Sequence, residues 1–175
     1  MKTLFVLISL LFIPQSETEK IYWSQDEKLT WNNFQGKSIP SATFVASTSS
    51  GISFQYSYTF QNNEVIVDYS VKSFFNPATS WFVPNRVNNH ILKHEQTHFD
   101  ISELHARMLR KSLANKKFSK NVKSEMDSLY HAFENKRRLM QTKFDAETDH
   151  SRNFEKEAFW QNYIAQQLAI YAAWK

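Results

Sequence analysis

The sequence predicts an α+β fold, an N-terminal antiparallel β-sheet packed against three C-terminal α-helices. Two observations carry this. Ahead of Pro84, apolar residues recur at every second position, the period of strands with one buried face. Beyond it they recur at helical spacing. The length of 175 residues and the absence of internal repeats suit a single domain.

The chain opens with Lys2 and the apolar run of residues 4–13, followed by Pro14, Gln15 and Ser16. This order reads as a signal peptide over residues 1–16, removed on export. The apolar run is well short of the roughly 20 residues that span a bilayer. The expected location is therefore periplasmic or extracellular, with no stable membrane insertion after cleavage. Residues 17–175 are then one domain, mainly β over 17–83 and mainly α over 84–175.

Ile21, Trp23, Leu29, Trp31 and Phe34 form an aromatic-rich opening segment, and residues 43–48 are rich in β-branched types. Ile52, Phe54, Tyr56, Tyr58 and Phe60 alternate, as do Val65, Val67, Tyr69 and Val71. Between them Gln61, Asn62 and Asn63 supply a turn, so the pair predicts an antiparallel hairpin. Three helices are expected over residues 84–114, 119–141 and 153–174, with Pro84 near the start of the first. The last carries an apolar stripe of Phe159, Trp160, Tyr163, Ile164, Leu168 and Tyr171. Residues 144–151 are polar and read as a loop, with Asp149 or Ser151 capping the helix that follows.

Composition narrows the function. The net charge of +4 is spread along the chain, and no basic run is interleaved with aromatics, so nucleic acid is not an expected partner. The chain has no cysteine, which excludes a thiol nucleophile and any cysteine-ligated metal. A metal site must rest on His, Asp and Glu.

His94 and His98 are four apart, hence one turn apart on one helix face, where both imidazoles can reach one ion. Glu95 lies one step around, placed to take a proton from a water that zinc acidifies. This His-Glu-x-x-His pattern predicts one Zn2+ per chain, with Glu95 as the catalytic base. Asp100 and Glu103 face away from the histidines, and His105 shares their face but lies about 10 Å farther along the axis. His105 is thus a candidate to touch substrate rather than metal. The metzincin continuation is absent, since Ile101 and Leu104 stand where its Gly and third His would be. The third ligand is expected from residues 144–151, with His150 first and Asp145, Glu147 and Asp149 as alternatives. Asp145 could instead orient an imidazole. His105, Tyr130, His131 and Arg152 are unranked candidates to stabilise an oxyanion.

These residues resemble a family of bacterial secreted proteins, DUF922, regarded as zinc-dependent proteases. The resemblance runs through Ser80-Trp81, residues 92–101 around the two helix histidines, and residues 144–150, and extends over nearly all of the mature chain. It implies zinc on His94 and His98, Glu95 as base, and a role for the Asp-x-x-Thr-x-His element at Asp145, Thr148 and His150. Two positions depart from it. Thr97 and Ser151 stand where the family tends to have Gly. The expected activity is that of a secreted zinc metallopeptidase acting on a peptide or protein substrate. The alternatives are a zinc-bearing binding or scaffold domain without turnover, and a zinc hydrolase of a non-protein amide such as cell-wall material.

Overall fold

A computed structural model describes residues 19–39 and 44–175. The signal peptide predicted over residues 1–16 and the start of the segment at 43–48 lie outside the described residues. Five strands precede three helices: β1 (Ile21–Tyr22), β2 (Ala46–Ser47), β3 (Ser50–Gln61), β4 (Glu64–Phe75), β5 (Trp81–Phe82), α1 (Asn89–Ala114), α2 (Val122–Thr148) and α3 (Phe154–Ile170). The α+β class and the order of its two halves follow the sequence pattern.

The alternating runs form the hairpin β3–β4, paired from Ser50↔Phe75 to Gln61↔Glu64. Its two-residue loop is Asn62-Asn63, both at positive φ (49° and 66°). That conformation matches the twist of the flanking strands, and Asn tolerates it better than most residues. The alternation predicts a buried face along the whole hairpin, and that face packs on the core with burial fading toward the tip. Ile52 and Val71 are buried against α1 and α2, Phe54, Tyr56, Val65, Val67 and Tyr69 are partly buried against the same core, and Tyr58 and Phe60 near the tip are exposed. β1 pairs with β4 at Phe74 and Phe75, and β2 pairs with β5 as a separate two-stranded sheet.

α1 lies at the centre, against β3 and β4 on one side and α2 and α3 on others. Even its charged side is covered. Glu103 and Arg107 are buried and bonded to each other at 2.8 Å, while Ser73 Oγ donates to Glu103. Arg107 and Arg110 donate to the carbonyls of Leu168 and Trp174, tying the chain's end to α1, and Arg110 Nε also donates to the Val71 carbonyl of β4.

α2 starts at Val122 rather than 119 and α3 ends at Ile170 rather than 174, and the structure departs from the sequence reading at three further places. α1 begins at Asn89, because the Asn88 side chain accepts from the Ile91 amide and caps it; Pro84 lies in the turn before. α2 runs through to Thr148, absorbing most of the segment expected to be a loop. Phe144 and Thr148 are one turn apart and both fully buried, so tertiary packing extends the helix through polar sequence. The cap of α3 is Asn153, whose side chain accepts from the Lys156 amide, not Asp149 or Ser151.

Candidate metal centre

The extension of α2 decides the site. It places Asp145 on a helix facing the His94–His98 face of α1. Asp145 Oδ1 lies 3.1 Å from His94 Nε2 and 2.9 Å from His98 Nε2. One ligand atom from each of the three residues lies within 4.8 Å of the other two, a spacing that can hold a metal ion. Zinc bonds of about 2.0–2.1 Å at tetrahedral angles put neighbouring ligand atoms about 3.3 Å apart, so the donor set fits zinc.

The rings are held from behind. Phe144 is fully buried, stacks on His94 at 4.5 Å between centroids, and meets His98 edge-on at 5.1 Å. His94 Nδ1 lies 3.0 Å from Oε2 of Glu157, a residue of α3 only 1 % exposed. Glu157 Oε1 in turn accepts from Gln161. The helix backbone is pinned as well, since Gln141 Nε2 and Ser50 Oγ both donate to the His98 carbonyl, and Thr48 Oγ1 donates to that of Glu95.

Burial disfavours the His94 cation, but its bonds to Asp145 and Glu157 outweigh that and push its pKa up to about 9. Burial opposes the Asp145 charge too, yet the two histidines hold its carboxyl well below the ordinary range. A metal-free His94 is therefore an imidazolium between two carboxylates. A divalent cation held by the cluster would replace that proton.

His150 sits in the short α2–α3 connection, its Nδ1 4.0 Å from Asp145 Oδ1 and its ring stacked on Phe44 at 5.9 Å. It lines two adjoining pockets. One, of about 340 Å³, is walled by Phe44, Val45, Ala46, Arg86, Ile91, His94, Glu95, His150, Ser151 and Arg152. The other, of about 300 Å³, adds Ser47, Thr48, His98, Arg138, Gln141, Thr142 and Asp145. Glu95 is buried, and among the described residues its Oε2 has no hydrogen-bond partner.

Thr148 does not reach the metal cluster. Its hydroxyl donates to the Phe144 carbonyl and so supports the turn that carries Asp145. His105 is buried with Nδ1 donating to the Ile101 carbonyl, and burial pushes its pKa down. It borders a different, apolar cleft with Met140, Trp160 and Tyr163. Tyr130 bonds the Ile52 carbonyl and His131 borders a polar hollow beside Tyr58, so of the four oxyanion candidates Arg152 is the one that lines the site.

A family model described as a bacterial protein of unknown function, DUF922, matches residues 24–151, more than half of the chain. The chain belongs to this family. No curated protein and no solved structure matches it. His94, Glu95, His98, Asp145 and His150 all fall inside the DUF922 match, and Glu157 lies beyond its end.

Glu157 is the site residue that sequence reasoning missed. Its signal was an acidic side chain three and seven positions before the buried Trp160 and Ile164, on the apolar stripe where a carboxylate needs a reason. A carboxylate on the far nitrogen of a ligating imidazole fixes its tautomer and orientation. Glu157→Gln is expected to weaken zinc binding about tenfold to a hundredfold, read by chelator competition. An unchanged affinity would show that Glu157 does not orient the ligand.

The connection after α2 explains one departure from the DUF922 pattern. Asp149, His150 and Ser151 all have positive φ, 47°, 50° and 70°. Asp and His are among the residues most tolerant of this region, while Ser151 occupies it where the family favours Gly. His90, which donates from Nε2 to the Ser151 carbonyl at 2.8 Å, holds the turn in place. Ser151→Gly is expected to raise unfolding stability by about 0.5–1 kcal/mol in urea titration, with zinc affinity unchanged. A loss of stability would show that the left-handed turn carries no strain at this position. At Thr97, the other departure, the hydroxyl donates to the Lys93 carbonyl and the side chain is buried without conflict.

Proposed function

We propose that this DUF922 protein is an exported zinc-dependent metallopeptidase. The observation that carries the reading is Glu95. A buried carboxylate oxygen without a partner is costly, and this one lines the same pocket as His94. Such an atom is free to accept a proton.

Zinc, when bound, supplies Lewis acidity toward a carbonyl oxygen and toward water. His94, His98 and Asp145 would hold it, with Glu157 fixing the His94 ring and Phe144 closing the site to solvent from behind. Glu95 takes a proton at Oε2 and returns it to the leaving amine nitrogen. His150 and Arg152 are two of the donors lining the pocket, placed to face negative charge developing on the carbonyl oxygen.

The peptide assignment draws on the wall of the site. Residues 45–48, with β2 at their centre, run past both pockets, from Val45 and Ala46 in one to Ser47 and Thr48 in the other. Among the described residues β2 pairs only with β5, and an extended chain could add as a strand along its other edge.

The test uses the mature chain loaded with zinc and freed of excess. The expected result is near one zinc per chain, with cleavage of a mixed peptide library that stops on chelation and returns with zinc. A zinc-loaded protein that leaves every peptide intact would sink the peptidase reading.

A further inference from the structure

The walls of the cleft carry charge of one sign. Arg86 and Arg152 line the first pocket and Arg138 the second, while the acidic residues lining either are Glu95 and Asp145, both part of the site itself. All three arginines are exposed. Arg86 is placed by a tight turn in which its amide donates to the Val83 carbonyl, just after Asn85 at φ 64°. Among the described residues no carboxylate pairs with the Arg86 guanidinium. Arg152 meets Asp149 at 3.4 Å and Arg138 meets the buried Glu134 at 3.7 Å, so of the three guanidiniums Arg86 is the one with no carboxylate partner among the described residues. α1 and α3 also begin close to this pocket, through Ile91 and Arg152, and add the positive ends of their dipoles.

We infer that the cleft selects extended peptides bearing acidic side chains, with Arg86 receiving a carboxylate in the pocket beside Glu95. The inference rests on the peptidase reading for its substrate class. A guanidinium recognises a carboxylate through two parallel hydrogen bonds, so geometry as well as charge favours Asp or Glu there. Such selection is electrostatic at its outer edge and weakens with salt.

Binding tests this apart from turnover. Zinc-loaded Glu95→Gln is titrated into fluorescein-labelled peptides of one length and frame, carrying Glu, Ser or Lys at the variable positions, and anisotropy is read. The Glu peptide is expected to bind about tenfold tighter than the Ser peptide at about 50 mM salt, with most of the advantage lost at about 500 mM. Adding Arg86→Gln should abolish most of the advantage, and Arg86→Lys should retain part of it. Thermal melting confirms that these surface variants fold. Equal or tighter binding of the Ser or Lys peptide, or an acidic preference untouched by the arginine changes, overturns the inference. If the wild type cleaves peptides without acidic preference, the peptidase reading stands and this one falls. If acidic peptides bind through Arg86 but are never cut, the reverse holds.

Discussion

Glu95→Gln is expected to keep zinc and lose hydrolysis by roughly a thousandfold, the scale of a missing general base. Gln has the shape of Glu but cannot accept the proton. The change should cost little elsewhere, because Oε2 has no hydrogen-bond partner to lose. The backbone link from Thr48 to the Glu95 carbonyl does not involve the side chain. Elemental analysis should give the wild-type metal content, and the melting temperature should stay close to that of the wild type. Activity retained above about a tenth of wild type would remove Glu95 from the mechanism. Loss of the metal would make it a ligand or a support for one.

The second large effect separates two candidates for the third ligand. Asp145→Asn is expected to reduce zinc affinity by more than the roughly hundredfold that loss of a supporting residue costs, and to abolish activity. Asn keeps the size of the side chain but lacks the charge that balances the ion. His150→Ala is expected to keep zinc and to slow hydrolysis, because its Nδ1 is 4.0 Å from Asp145 and its ring borders both pockets. Metal content and peptide cleavage are measured on both variants. If His150→Ala loses zinc as fully as Asp145→Asn, His150 coordinates the ion, as the ligand preference for histidine suggested. A turn of the left-handed segment at Asp149, His150 and Ser151 would then have to bring it inward.

The same two variants bear on how the site is built. In the metal-free chain Asp145 neutralises an imidazolium, with Glu157 on the other nitrogen. Asp145→Asn removes one of the two bonds that raise the His94 pKa and leaves the remaining charges less well paired in a buried place. The cost to folding and the cost to metal binding thus have one origin. Glu157 occupies α3, beyond the family match, so the last helix supplies more than core packing.

The sequence by itself determined the parts of this protein that repeat over one helical turn or one strand step. The four-residue spacing of His94 and His98 places both on one face of any helix. The alternation on either side of residues 61–63 predicts a hairpin, although the structure keeps Gln61 in β3 and leaves Asn62 and Asn63 as the loop. The lack of cysteine restricts a metal to nitrogen and oxygen ligands. These follow from backbone periodicity, which is local. What only the tertiary structure decided depends on how the helices pack. Phe144 and Thr148 become helical because both are buried, and that turns Asp145 toward the histidines across 47 and 51 positions of sequence. Glu157 reaches His94 across 63 positions, and Arg86 enters the same pocket from the turn before α1. No periodic pattern encodes such distances, because they are set by which faces of α1, α2 and α3 bury one another.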